Sequence, residues 1–135
     1  MADWNAEIIE EFRANEGRVG GYFEGAAMLL LHTTGRKSGR PRVNPLVYLP
    51  DGDRYVVFAT KGGSPTHPDW YRNLMANPDV DIEVGTETIR VRAAEIQDDA
   101  EREALYARQI ERRPGFAEYP AKARRRIPVI ALERR

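Results

Sequence analysis

Arg36, Lys37, Arg40 and Arg42 fall within seven consecutive positions of a 135-residue chain, interleaved with Gly35, Ser38 and Gly39. Guanidinium groups recognise phosphate and carboxylate bidentately, an ammonium adds a compact charge, and glycine lets the backbone approach an anion closely. No acidic residue occurs between Glu24 and Asp51, although the whole chain balances 21 basic against 21 acidic residues. A neutral protein thus carries one concentrated positive segment, Thr33 to Leu46, suited to an anionic ligand. A solvated basic turn uses the same residue types. A nucleic-acid arm is the weaker reading, because the cations are few and their flanks lack interleaved aromatics.

A second segment runs from Lys61-Gly62-Gly63 through His67-Pro68-Asp69 to Trp70-Tyr71. A strand ending in Lys-Gly-Gly and leading into a helix N-terminus can hold phosphate through main-chain amides and the helix dipole. Neither the Walker A nor the Rossmann glycine pattern is present, and Trp70 and Tyr71 alone read as core aromatics. The absence of cysteine excludes thiolate catalysis, iron–sulfur ligation and disulfides, and fits a reducing cytosol. Of the two histidines, His32 lies in an apolar run and reads as structural, whereas His67 reads as a cap or a ligand contact. No Ser-His-Asp set or metal-ligand cluster accompanies them.

Two further groups stand near the C-terminus. Phe116 and Tyr119, three apart, either pack a helix on the core or shape a pocket. Lys122, Arg124, Arg125 and Arg126 form a second basic cluster that reads as a solvated face, with an acidic ligand tail or an anionic membrane surface as alternatives. No apolar stretch approaches the ~20 residues of a membrane span, and the acidic start Met1-Ala2-Asp3 is unlike a secretory signal. A cytoplasmic protein, at most peripherally membrane-associated, is expected.

These residues need elements to position them. Residues 1–16 read as an amphipathic N-terminal helix carrying Trp4, Ile8, Ile9 and Phe12, and residues 1–135 as one domain. Strands are expected over Met28 to Thr33, Val43 to Leu49 and Arg54 to Thr60, the last two joined by a hairpin at Pro50-Asp51-Gly52-Asp53. A helix opens at His67-Pro68-Asp69 and closes at Asn77-Pro78. Alternation predicts two more strands, Val80 to Val84 and Ile89 to Ala93, across Gly85-Thr86. Asp98 with Glu101 caps a helix to about Arg113, and Ile127 to Leu132 closes the chain as a strand. Five to six antiparallel strands in so short a chain suggest a small barrel with helices packed around it.

Taken together, the segments Thr33 to Lys37, Gly39, Pro41 to Leu46, Lys61 to Gly63 and Pro68, Trp70, Tyr71, Asn73, Leu74, Ala76 to Pro78 resemble the deazaflavin-dependent nitroreductase family, over roughly residues 27 to 134. The resemblance implies a mainly β, split β-barrel of the flavin-mononucleotide-binding type, with about six antiparallel strands. It implies coenzyme F420 as cofactor, a deazaflavin whose tail carries a phosphate and several glutamates. Arg36, Lys37, Ser38 and Arg42 would meet that tail, and Lys61 would approach from the next strand end. Val43, Asn44, Pro45 and Leu46, with Phe58, Ala59 and Thr60, would line the ring, closed on the other side by Asp69, Trp70, Tyr71, Arg72 and Asn73. Phe116 and Tyr119 would shape the acceptor pocket, with Tyr119 as proton donor or orienting group.

The resemblance implies hydride transfer from the reduced cofactor to a small electron-poor acceptor, a quinone or a nitro compound, by a monomer or homodimer. Arg113 stands where nitroimidazole-reducing relatives carry tyrosine, a departure that bears on the acceptor and not on the cofactor. A flavin mononucleotide or haem protein of the same fold, and a non-catalytic carrier of the deazaflavin or a lipid, are the alternatives.

Overall fold

Strand β1 (Met28–Thr34) opens with four buried apolar residues, Met28 to Leu31, because both of its faces are covered there. Leu29 and Leu31 enter an inner cluster with Val57, Ile82, Val91, Ile130 and Leu132, while Met28 and Leu30 turn outward to meet Ile8, Phe12 and Val19. The same two-residue alternation runs through the strand at the opposite wall. Val57 faces inward, and Val56 and Phe58 face Leu105, Tyr106 and Val129 in a third cluster.

The computed structural model describes residues 4–135, and the side chains of Trp4 and Tyr22 are outside the described set. The expected N-terminal helix is seen as α1 (Trp4–Ala14); its stretch before Trp4 lies outside the described residues. After β1 come β2 (Pro41–Val47), β3 (Leu49–Asp51), β4 (Arg54–Phe58), α2 (Asp69–Ala76), β5 (Asp79–Val84), β6 (Glu87–Glu95), α3 (Asp99–Arg112), α4 (Tyr119–Ala123) and β7 (Val129–Arg134). Asp98 accepts from the Glu101 amide at 2.8 Å, the cap that its spacing predicts for α3.

All seven strands pair antiparallel in the order β2-β1-β5-β6-β7-β4-β3. The two edge strands of that order, β2 and β3, are separated in the chain by Tyr48 alone. The sheet must therefore curl until its edges meet, which makes it a barrel. The single strand expected over Val43 to Leu49 is in fact two, because Tyr48 donates its amide to the Ala27 carbonyl at 2.9 Å and the chain turns there from β1 to β4. The strand expected to reach Thr60 stops at Phe58, where Ala59 donates to Pro128 and Thr60 takes a helical conformation.

An ion pair ties α1 to the barrel, and a further contact ties β1 to the same carboxylate. Arg13 donates to both oxygens of Glu83 on β5, at 3.1 and 2.7 Å, and His32 Nε2 lies 2.6 Å from the same carboxylate, the structural role read for that histidine. Arg13 first and His32 after it hold the Glu83 carboxyl below its ordinary range. Among the described residues, no helix is long and apolar enough to cross a membrane.

Candidate active site

The turn at Tyr48 creates the site. Before it, β2 pairs with β1; after it, β3 pairs with β4; so β2 and the end of β4 diverge and leave a seam in the barrel. A cleft of about 1440 Å³ occupies this seam, with Val43 to Val47 on one side and Phe58, Thr60, Lys61 and Gly62 on the other. Because β2 is an edge strand, one side of its backbone pairs with no other strand, leaving donors and acceptors free to meet a ligand. Pro41 and Pro45 are tolerated there for the same reason.

The basic hairpin roofs one end of the cleft. Gly35 donates to the Arg40 carbonyl and accepts from the Gly39 amide, both at 2.8 Å, and Gly39 takes φ 71°, the turn that tips Arg36, Lys37, Ser38 and Arg42 onto the lining. Asn73, buried on α2, receives both the Arg36 amide at 3.0 Å and its guanidinium at 3.1 Å, and Asp69 lies 3.8 Å from the same guanidinium. Among the described residues, six cationic side chains line the cleft, Arg36, Lys37, Arg42, Lys61, Arg112 and Arg113, against the one carboxylate of Asp69.

The opposite wall is aromatic. Phe116 lies edge-on to Phe58 at 5.9 Å and to Tyr119 at 5.1 Å, and the Tyr106 hydroxyl donates to the Phe116 carbonyl at 2.7 Å. Burial raises the Tyr106 phenol, with Tyr119 adding to it, so Tyr106 serves as a neutral donor that holds the wall. Phe116 and Tyr119 both reach the cleft.

Three residues expected at the ring lie elsewhere. With Phe58 and Thr60 toward the cleft, the strand period sends Ala59 into the barrel interior, where it is fully buried. On α2, Asp69, Trp70 and Asn73 share the cleft face, so Tyr71 and Arg72 point away. The Tyr71 hydroxyl donates to Glu95 at 2.5 Å, and burial, then that carboxylate, push its phenol up to about 12. Arg72 is exposed.

His67 neither caps α2 nor reaches the cleft. Its Nδ1 accepts from Arg125 at 3.0 Å, and burial, then Arg125 and Arg72, lower its basicity against the weaker opposing pull of Glu95. Arg125 itself is no solvated side chain. It donates to the carbonyls of Ser64, Ala59, Thr60 and Thr66 at 3.0 to 3.1 Å, a guanidinium sunk into the loop that presents Lys61. Lys61 takes φ 47° and Gly62 and Gly63 follow at 63° and 87°. A Cβ at Gly63 would lie 2.9 Å from Lys122 Cδ, so α4 packs directly on this turn. The rest of the second basic cluster is spent locally, Arg126 on Asp99 and Arg124 as the left-handed end of α4.

Other lining residues had no signal as site residues in the sequence. Asn5, Ala6 and Ile9 bring α1 to the cleft, and Phe23 and Arg112 also line it.

A family profile described as F420H(2)-dependent quinone reductase matches residues 4–134. The chain belongs to that family. An F420H(2)-dependent quinone reductase of Mycobacterium tuberculosis is 42% identical over 127 residues, covering 92% of this chain and 85% of the relative. A solved F420-H2 dependent reductase, FDR-A, superposes with TM-score 0.71 at 39% identity, over 79% of this chain and 94% of that one. A solved domain-swapped dimer gives TM-score 0.72 at 36% identity, over 95% and 93% of the two chains. The haem storage protein HutZ of Vibrio cholerae, 21% identical with TM-score 0.60 over 97% and 90%, shares the fold.

The family's cofactor is coenzyme F420 and its members are oxidoreductases. The cleft of this F420H2-dependent quinone reductase family member fits that group. Its open β2 edge and apolar lining of Val43, Leu46, Phe58 and Trp70 suit a flat heterocycle, and its excess of cations suits a tail of phosphate and glutamates.

Proposed function

We propose that this protein reduces a quinone with reduced coenzyme F420 bound in the barrel seam. The carrying observation is that one cleft joins a basic loop, an unpaired strand edge and an aromatic wall. Arg36, Lys37, Ser38 and Arg42 hold the tail, Lys61 approaches the cofactor from the end of β4, and Asn73 fixes Arg36. The backbone of Val43 to Leu46 receives the polar edge of the ring, while Phe58 and Trp70 exclude water from it. Bound there, the reduced deazaflavin supplies a hydride. The protein contributes position and desolvation, which favour the transfer by holding donor and acceptor together.

Phe116 and Tyr119 hold the acceptor against the ring, and the Tyr119 hydroxyl orients its oxygen or gives the proton that completes the hydroquinone. The acceptor is a small molecule. Nitro compounds are incidental acceptors in this reading, and a homodimer is the assembly to look for, by sedimentation.

The test is to mix reduced F420 with the protein and menadione and to follow the return of the oxidised cofactor's visible absorbance. Turnover that Tyr119→Phe slows, with cofactor affinity retained, supports this assignment. Binding without turnover for any quinone would make the protein a carrier.

A further inference from the structure

Lys61 lines the cleft from the loop that follows β4, and its backbone is held where a side chain is seldom found. Its φ of 47° lies in the left-handed region, which glycine fills at no steric cost and other residues avoid. A residue kept in that conformation points to work for its side chain. Among the described residues no carboxylate pairs with the Lys61 ammonium, which donates instead to Thr66 Oγ1 at 3.2 Å. A neutral acceptor aims the charge without cancelling it.

Both ends of that bond are anchored to one group. Arg125 donates to the carbonyl of Thr60, directly before Lys61, and to the carbonyl of Thr66, each at 3.1 Å. Between them the Lys61 carbonyl receives the Ser64 amide at 3.1 Å, and Gly63 packs against the side chain of Lys122. Ser64 Oγ closes the circuit, receiving the Thr66 amide at 3.3 Å and lying 3.1 Å from the Thr66 hydroxyl. Thr66 therefore presents its Oγ1 from a fixed backbone to a side chain whose own backbone the same guanidinium fixes. A free lysine loses much rotamer freedom when it meets a ligand, and one held beforehand loses less.

We propose that Thr66 is a positioning residue, whose hydroxyl holds the Lys61 ammonium in the orientation from which it meets the negative charge of the bound cofactor. Ser64 fixes that hydroxyl in turn. This rests on the reading that F420 occupies the seam and that Lys61 reaches it. Thr66 is no part of the cleft lining and acts through Lys61. Thr66→Ser, which keeps the hydroxyl, therefore preserves the effect, and Thr66→Val, which keeps the shape, removes it.

The test is a double-mutant cycle read by fluorescence titration with F420 at low ionic strength. Thr66→Val should weaken binding about fourfold, the scale of one hydrogen bond, and Thr66→Ser should stay within about twofold of the wild type. In a Lys61→Met protein, which keeps the stem and lacks the charge, Thr66→Val should have no further effect, because the two residues act as one unit. The free protein supplies a second reading. The order of the Lys61 Cε by NMR relaxation should fall in Thr66→Val and be retained in Thr66→Ser. Equal losses from Thr66→Val with and without the Lys61 charge, or a Lys61 Cε as mobile in the wild type as in Thr66→Val, overturn the proposal. A Lys61→Met protein that binds F420 as the wild type does also overturns it, by removing Lys61 from the cofactor contacts while leaving the cofactor site intact. Absence of F420 binding by the wild type would count against the cofactor reading, and the relaxation measurement then decides the role of Thr66.

Discussion

The hairpin of residues 34–42 and the loop of residues 59–67 both depend on arginine, but they use it in opposite directions. In the hairpin, backbone bonds between Gly35, Arg40 and Gly39 set the turn, and Arg36, Lys37 and Arg42 point out over the cleft. In the loop, Arg125 arrives from outside the segment and donates inward to the carbonyls of Ala59, Thr60, Ser64 and Thr66. The first arrangement leaves charge available to a ligand. The second consumes charge to hold a backbone that no regular ladder supports, because β4 ends at Phe58 and Lys61 to Gly63 run at positive φ. Residue type thus does not decide whether an arginine serves a ligand or the fold; what surrounds its guanidinium does.

This contrast predicts a graded set of outcomes. Arg125→Ala should have the largest effect, since buried carbonyls deprived of a donor cost ~1–3 kcal/mol each. Partial exposure moderates the total, and we expect a loss of about 2–4 kcal/mol in urea denaturation together with weaker F420 binding; unchanged stability would refute the inward role. Lys37→Ala combined with Arg42→Ala should lower F420 affinity by roughly 10–100-fold at low salt, at ~0.7–1.4 kcal/mol per partly exposed charge-assisted contact, with little change in Tm. A fall in Tm matching that of Arg125→Ala would erase the distinction between the two regions.

Asn73→Ala should come next, weakening F420 binding about fivefold, because its Oδ1 receives both the amide and the guanidinium of Arg36. These bonds act on the cofactor only through Arg36, so ~1 kcal/mol of its binding is at stake. The smallest effect is that of pH on the loop. His67 is less basic in the folded protein than its ordinary 6.5, so the unfolded chain binds more protons as pH falls. Stability should therefore decline below about pH 6.5 and level off once the folded imidazole is also protonated. His67→Gln should remove that slope, while the carboxylates of Asp51 and Glu83, held below their ordinary 3.8 and 4.5, govern losses at more acid pH. A slope that persists in His67→Gln would assign the titration to another group.

Much of the frame was legible because local rules agree with it. The Asp98 cap, the Gly52 and Gly85 turns at φ 58° and 60°, and the alternation of β5 and β6 depend on near neighbours. The basic loop was legible because four cations and two glycines have few other uses between buried strands. What was not legible depends on distant contacts. Nothing near Tyr48 announces that its amide will bond Ala27 and break one strand into two. Arg125 looks like its neighbours Arg124 and Arg126 until the loop 66 residues earlier is folded against it. Asn5, Ala6 and Ile9 become lining residues because α1 is held on the barrel by the packing of Ile8 and Phe12 on Met28 and Leu30 and by the Arg13–Glu83 pair. Ala59, Tyr71 and Arg72 belong to continuous motifs, whereas strand and helix periods present only some residues of a motif to one face.

The central claim is that the seam holds coenzyme F420 with its acidic tail on the hairpin cations. Its most direct test is a fluorescence titration of the protein with F420 and with the same chromophore lacking the phosphate and glutamates, in wild type and in Lys37→Ala/Arg42→Ala. The account predicts that the wild type binds the full cofactor at least tenfold more tightly than the bare chromophore at low salt, and that the variant loses most of this difference. Equal affinity for the two ligands, or a tail preference that the variant keeps, would contradict it.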